Sequence, residues 1–469
     1  MSAHKLMRRE SDLRPFFEPR GVVIVGASRS PGFGHLLPRE LQRLGWGDRL
    51  YLVNPSGGEL HGKPLYRKVA EVPGEVDLAV VLVPARLVPE VLREIGERGI
   101  RHVVIESAGF TETGERGKAL QEKAKEVAAR YGIRVIGPNC VGVINTANRF
   151  TTVEVVDEAF TPGPVGVIAQ SGVFGNILLD GLHQRGLFIS KAVTLGNRMD
   201  VDECEVMDYF HRDPDTRVIM MYLEGAADGR RLKETLEGVT RDKPVLVLKS
   251  GRTGPGREAT ASHTGSMSGE DRLYEAVFAQ SGVMRADSLD ELIDMARVFS
   301  TQPLPKGNRL GVMTSSGSLG ALATDAAVSA GLVVPPLSQA SVEKVRSIAP
   351  EWMNVRNPLD VGPSGQYLPA LAALMEDPDI DMVLAIVVIP FAIFREFMAM
   401  GVTVKDFMGG ASSLRETAPG KPLVICSIGD KGFIEDLDEA TGPHIPVLTS
   451  PESAARALGA LYRYSTTHN

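Results

Sequence analysis

The amino-acid sequence predicts an α/β protein built from parallel sheets, and three observations carry that prediction. Short β-branched runs alternate with helical patterns through the first third of the chain. The remainder holds a second α/β unit twice over, as an internal repeat. Each copy opens with a strand, a Ser-Gly pair and a helix. Length agrees: 469 residues exceed a single core and suit about three domains of ~150 residues.

In the first third, Val22 to Val25, Leu50 to Val53, Asp77 to Val83, His102 to Ile105 and Arg134 to Ile136 read as strands. Leu87 to Arg98 and Gly114 to Arg130 read as helices between them. Apolar runs alternating with helices imply βαβ units and a sheet buried on both faces. The domain ends near residue 148. Beyond it, GVIAQSGVFGNILLDGLHQRGL from Gly166 aligns without a gap on GVMTSSGSLGALATDAAVSAGL from Gly311. KPVLVLKSG from Lys243 then matches KPLVICSIG from Lys421, so two copies of one unit follow each other. Pro303 and Pro305 interrupt the pattern and place a boundary near 302–306. Met382 to Phe394, broken by Pro390, reads as a buried strand running into a loop.

Composition narrows the function classes. Apolar residues make up 43% and charged residues 23%, with a net charge of −7 and interspersed signs. A nucleic-acid surface needs a basic stripe, and none is visible. The N-terminus lacks the apolar core of a secretory signal, and no run reaches the ~18 apolar residues of a membrane span. Three scattered cysteines make neither a disulfide framework nor a zinc site. A cytoplasmic protein without membrane or nucleic-acid partners is expected.

The first strand leads into VVIVGASRSPGFGH, a glycine-rich turn like those that hold dinucleotides in Rossmann-like domains, with different glycine spacing. Nicotinamide domains carry an acid at the end of strand two, for the ribose hydroxyls. Here that strand ends Val53-Asn54-Pro55, with no acid. A ribose 3′-phosphate would be repelled by a carboxylate there, so the residues favour coenzyme A over NAD. Asn54 also suits a plain turn. Val83-Pro84-Ala85 and Gly137-Pro138-Asn139-Cys140 are further strand-end turns, and Cys140 is expected to be a small buried residue.

Ser171-Gly172 and Ser316-Gly317 each stand between a strand and a helix, where N-terminal amides hold anions. The pair also serves the tight turn alone. After the strand ending near Lys249, about twenty small residues precede a helix starting near Glu270 and read as a long loop centred on Ser262-His263-Thr264. Glu224 closes the strand Arg217 to Leu223, where an acid orients an imidazole or simply faces solvent. The second copy has neither Glu224 nor His263.

Together these segments resemble the α subunit of the ADP-forming (NDP-forming) acyl-CoA synthetases, relatives of succinyl-CoA synthetase, along essentially the whole chain. The ASHTGS, Leu223-Glu224-Gly225, Gln170-Ser171-Gly172, VGAS and GPNCVG segments carry the likeness. Asn357 to Gly362 and the turn from Ser316 carry it in the third domain. The resemblance implies a Rossmann-like CoA-binding domain over residues 1–148, a ligase domain with a phosphohistidine loop over 149–302 and a second flavodoxin-like ligase domain over 303–469. It implies His263 as the phosphorylated residue and Glu224 as its catalytic partner. Phosphate falls to Gln170, Ser171 and Gly172 and to Ser316, Gly317 and Ser318, the last a departure from the family's usual glycine. CoA falls to Gly26, Ala27, Ser28, Asn54, Pro55, Val83, Pro84, Ala85, Asn139 and Cys140. The implied reaction converts acyl-CoA, phosphate and ADP to acid, CoA and ATP, reversibly. With no Walker loop and no room for an ATP-grasp domain, Mg-ADP or Mg-ATP falls to a separate ATP-grasp β subunit in a heterotetramer. No metal site is expected on this chain. The competing readings are a CoA-sensing regulatory protein and a nicotinamide oxidoreductase.

Overall fold

The computed structural model describes residues 12–153, 157–172, 175, 179, 181–264 and 269–467, with side chains left out at 261–264. The chain divides into two compact units, Met1–Arg285 and Ala286–Asn469.

The first unit holds two sheets. The N-terminal one runs Glu59–Leu60, Lys63–Tyr66, Leu50–Val53, Val22–Val25, Leu78–Val81, His102–Ile105, Arg134–Ile136. Apart from the antiparallel Glu59–Leu60 edge, its pairs are parallel. This is the dinucleotide-domain order, in which the chain reverses direction across the sheet beside its first strand. All four residues of Val22–Val25 and of Leu78–Val81 are buried, as expected of strands covered on both faces. Helices Val88–Glu97 and Glu115–Tyr131 match their sequence patterns to within a residue.

The second sheet runs Met284–Ala286, Val245–Lys249, Val218–Leu223, Val165–Ala169, Ile189–Thr194, Val143–Asn145, Phe150–Thr151. Its four central strands pair in parallel, and the last two are antiparallel. From Val165 onward the order is that of a flavodoxin-like sheet, with its switch point between Val165–Ala169 and Val218–Leu223.

The second unit has one five-stranded parallel sheet, Leu359–Asp360, Leu310–Thr314, Met382–Ile386, Leu423–Cys426, Val447–Leu448. It repeats the same flavodoxin-like order, so the internal repeat is one topology used twice. Helix Leu289–Thr301 belongs here: Ser453 donates to Asp294 at 2.6 Å, and Arg297 donates to the Val447 carbonyl at 2.6 Å.

Two segments differ from the sequence reading. The twenty-residue loop after Lys249 contains a helix, Gly254–Thr264, so residue 263 stands in a helical last turn. It starts like many helices, with Pro255 in its first turn and the Thr253 hydroxyl accepting from Gly256 N–H at 3.2 Å. Having few apolar side chains, it shows no periodic stripe, and periodicity reasoning reads that as loop. Likewise Pro390, taken as the start of a loop, is the N-cap of helix Phe391–Ala399. A proline that ends a strand also fits a helix start. Among the described residues no helix is long and apolar enough to cross a membrane.

Candidate active site

At the switch point of the N-terminal sheet, the turn after Val25 is built on close backbone approach. Gly26 has φ +103°, and a Cβ there would lie 2.9 Å from the Leu82 carbonyl carbon. A Cβ on Gly34 would lie 2.5 Å from the Gly26 oxygen, so both glycines are required by contact. Ser28 N–H donates to the Gly34 carbonyl at 2.8 Å, and Ala27 is fully buried. Val83-Pro84-Ala85 forms the opposite lip, with Ala85 opening a short 3-10 turn.

Asn54 is a scaffold residue. Its amide donates to the Ala27 carbonyl at 2.7 Å, and its oxygen accepts from Ser56 N–H at 2.9 Å, tying the second strand's end, with Pro55, to the glycine turn. Two arginines that sequence reasoning missed border this loop. Arg29 donates to Ser56 Oγ at 3.2 Å and the Gly57 carbonyl at 3.3 Å, and Arg67 donates to the Pro55 carbonyl at 3.0 Å. No local motif marks them. Only the missing acid pointed to a positive edge here.

The Asn139-Cys140 turn joins this sheet to the next. Asn139 has φ +59°, and its N–H donates to the Ser107 carbonyl at 3.0 Å. A Cβ on Gly196 would lie 2.2 Å from the Pro138 oxygen, so the two turns touch backbone to backbone. The Cys140 thiol is buried, donates to the Ile105 carbonyl at 3.4 Å and is held well above its ordinary pKa by burial and by the charge of Glu106. It is a packing residue, as the sequence suggested.

At the switch point of the second sheet, Gln170 is buried and its side chain spans the crevice. Its oxygen accepts from Glu224 N–H at 2.7 Å and Gly225 N–H at 3.0 Å, and its amide donates to the Gly225 carbonyl at 2.8 Å. Arg198 donates to that carbonyl at 2.6 Å and to Glu203 at 3.0 Å, with Glu203 almost fully buried. Arg198 and Glu203 were not legible because the partners that give them a role, Gln170 and Gly225, lie elsewhere in the chain. Ser171 and Gly172 follow, with Gly175 N–H donating to the Ser171 carbonyl at 3.1 Å as a helix begins.

Glu224 is 4% exposed, and the Tyr222 hydroxyl bonds to it and to Ser250. Beside it is Lys249, 1% exposed, donating to the Ser250 carbonyl and lying 4.6 Å over the Tyr274 ring. Burial pushes the Lys249 ammonium down to about 8, against the opposing pull of Asp271 and Glu224. The His263 imidazole and residues 265–268 of the ASHTGS segment lie outside the described residues, and so does the expected pairing with Glu224. Ser316, Gly317 and Ser318 stand in the second unit at the start of helix Gly317–Ser329, with the Ser316 and Ser318 hydroxyls 3.1 Å apart.

One cavity of about 250 Å³ gathers much of the first unit's predicted set. Asn139, Cys140, Gln170, Ser171 and Gly172 line it, together with Phe33, Glu106, Ala108, Val141, Gly196 and Asn197. Carboxyl ends of strands from both sheets meet there, the placement expected of a ligand site in open α/β sheets. A helix start beside a nucleotide-type turn can hold a phosphate next to a thioester. Among the described residues no cluster of three or more His, Cys, Asp or Glu is set to hold a metal ion.

Comparison with known proteins agrees with this geometry. A CoA binding domain model matches residues 20–146, and a succinyl-CoA ligase like flavodoxin domain model matches 162–299. The chain is 39% identical over 457 residues to acetate–CoA ligase [ADP-forming] II subunit alpha of Pyrococcus furiosus, covering 95% of this chain and 96% of that one. It is 37% identical to acetate–CoA ligase [ADP-forming] II of Archaeoglobus fulgidus, covering 97% of this chain and 67% of that longer protein. Among solved structures, dinucleotide forming acetyl-coenzyme A synthetase 1 of Ca. Korarchaeum cryptofilum, in complex with phosphate and ADP, superposes with a TM-score of 0.87 at 31% identity, covering 97% of each chain. This chain belongs to the family of ADP-forming acetate–CoA ligases, as an α-subunit-type member.

Proposed function

We propose that this chain is the α subunit of an ADP-forming acyl-CoA synthetase, interconverting acyl-CoA, phosphate and ADP with carboxylic acid, CoA and ATP. The observation that carries the proposal is the single cavity joining the Asn139-Cys140 turn of the CoA-type sheet to Gln170-Ser171-Gly172 of the ligase sheet. CoA lies along the crevice formed by Gly26, Ala27 and Ser28 and by Val83, Pro84 and Ala85, with the loop tied down by Asn54 and Pro55. Arg29 and Arg67 give that loop the positive edge a ribose 3′-phosphate needs.

Phosphate at Ser171-Gly172 is held by helix amides in a setting made positive by Arg198 and Lys249. A phosphate oxygen attacks the thioester carbonyl carbon, the carbon–sulfur bond breaks, and CoA leaves as thiolate. The acyl phosphate then gives its phosphoryl group to a nitrogen of His263, releasing the carboxylate. Splitting one transfer into two lowers each barrier. Glu224, buried and fixed through Gln170, is the acid that orients the imidazole. Phosphohistidine is finally discharged to Mg-ADP on a separate ATP-grasp β subunit, in a heterotetramer. The naming of the Pyrococcus furiosus relative as a subunit alpha supports a separate partner. Ser316, Gly317 and Ser318 form a second anion-binding helix start.

Labelling with radioactive phosphate in the presence of acyl-CoA tests the proposal. Acid-labile, base-stable label is expected on the wild-type chain, with or without the β subunit, and none on His263→Ala. Label of equal strength on the variant overturns the assignment of His263. Absence of label from the wild type even with the partner present favours a CoA-sensing role.

A further inference from the structure

Glu106 is an acid in a place where the proposed reaction has no evident use for one. It directly follows the strand His102–Ile105, and its N–H donates to the Val81 carbonyl at 3.1 Å, which fixes it at the sheet's carboxyl edge. It lines the same cavity as Ser171, Gly172 and Phe33. We propose that Glu106 selects the acyl group, turning away acyl-CoAs whose tail ends in a carboxylate and favouring tails that end in a hydrogen-bond donor or a cation. This rests on the reading of the cavity as the place where phosphate meets the thioester.

The geometry gives the tail little choice. If phosphate is held at Ser171-Gly172, the thioester carbon stands within bonding reach of it, and the acyl chain continues into the rest of the cavity. Glu106 lines that space, whose volume is about 250 Å³. No described side chain lining the cavity is basic, Arg198 and Lys249 not being among the lining residues, so a tail carboxylate beside Glu106 would meet an acid and no lining cation. Two like charges a few ångströms apart in a partly dry site repel by far more than they do in water. The charge of Glu106 is already felt by its neighbour, since it helps to hold the Cys140 thiol protonated. A donor tail, charged or neutral, gains a charge-assisted hydrogen bond to the Glu106 carboxylate. Ala108 and Val141 add neutral surface that accepts an aliphatic stem.

The test is calorimetric binding of CoA, butyryl-CoA, succinyl-CoA and β-alanyl-CoA to the full chain, in wild type and Glu106→Gln. The readout is the ratio of dissociation constants within each protein. In the wild type, succinyl-CoA is expected to bind at least about tenfold more weakly than butyryl-CoA, and β-alanyl-CoA at least as tightly as butyryl-CoA. In E106Q the succinyl-to-butyryl ratio is expected to fall towards one. A wild-type ratio within about twofold of one overturns the inference, whatever the variant does. A large ratio that persists unchanged in E106Q also overturns it, because the selection then lies elsewhere. Should E106Q fail to fold, Glu106→Ala is read by the same ratio. Failure of the wild type to bind CoA itself is a different result and removes the reading of the cavity on which the inference stands.

Discussion

The two copies of the flavodoxin-like unit solve the same structural problem with different chemistry. In each, the residue after the first strand must tie down the end of the third. Gln170 does so with its amide, bonding Glu224 N–H, Gly225 N–H and the Gly225 carbonyl. Ser315 does so with a shorter reach, its hydroxyl accepting from Val388 N–H at 2.8 Å and donating to the Val388 carbonyl at 3.0 Å. Around that shared tie the charges differ. The first copy buries Lys249 where the aligned position of the second is Ser427, and adds Arg198 at the Gly225 carbonyl. The second brings an acid to its helix start: a Cβ on Gly317 would lie 2.9 Å from an Asp360 oxygen. A helix N-terminus carries about half a positive charge. In the second copy a resident carboxylate answers it, whereas in the first Gly172 faces the cavity. Duplication preserved the scaffold, and the resident Asp360 makes the second helix start the weaker anion site.

The most damaging way to break this contrast is to remove the cation that fixes the first copy's turn. Arg198→Met leaves Glu203 buried with, among the described residues, the Gln170 amide at 3.4 Å still donating to it. Stranding one partner of a buried pair costs about 3–5 kcal/mol. Urea unfolding should show a loss of that size, and phosphate labelling should fall with it because Gln170 loses its brace. A variant as stable as wild type would mean that Arg198 merely decorates the turn.

How much of this was legible in sequence follows the same division. Strands such as Val22–Val25 and His102–Ile105 appear at their predicted residues, because a strand buried on both faces leaves an uninterrupted apolar run. The repeat was legible because glycines at 166, 175, 311 and 320 are fixed by contact: a Cβ on Gly175 would lie 2.3 Å from Thr194, and one on Gly320 2.9 Å from Thr314. Helix Gly254–Thr264 was read as loop because its small residues carry no apolar stripe. In the cavity, Ser171 and Gly172 were found from a local pattern. Glu106 and Asn197 were not, since each matters through a partner far away in the chain: Asn197 donates to Glu112 at 2.7 Å and Gln121 at 3.1 Å, and no local spacing encodes that.

The buried cation offers a second, smaller test with a pH signature. The folded protein holds the Lys249 proton less tightly than the unfolded chain does, since burial lowers its pKa from 10.5 to about 8. Unfolding therefore takes up a proton between those values, and stability attributable to this group rises with pH across that window. Below about pH 8 the buried ammonium carries its full cost, about 3–4 kcal/mol at ~1.36 kcal/mol per pKa unit. Lys249→Met should be more stable than wild type by that order at pH 7, and the gap should close as pH approaches 10.5. Phosphate labelling should nevertheless drop, because the cation is lost from the anion site. A gap that does not change with pH would remove Lys249 from the list of charges that distinguish the first copy.

The smallest effect is expected where the second copy is pushed towards the first. The helix Gly317–Ser329 has no side-chain cap at Ser316 and has one Asp360 carboxylate oxygen beside Gly317, while the other oxygen accepts from Gly362 N–H at 3.0 Å. Asp360→Asn keeps the shape and a hydrogen-bond acceptor and removes the charge. Stability should fall by only about 0.5–1 kcal/mol, the usual worth of a carboxylate at a helix start. Phosphate affinity at Ser316-Gly317-Ser318 should rise, because an incoming anion no longer meets a resident one. The measurement is the phosphate-dependent rise in Tm of His263→Ala with and without the added substitution, so that covalent labelling does not contribute. An equal rise in both proteins would show that Asp360 does not set the second turn's preference, and the difference between the copies would then rest on Arg198 and Lys249 alone.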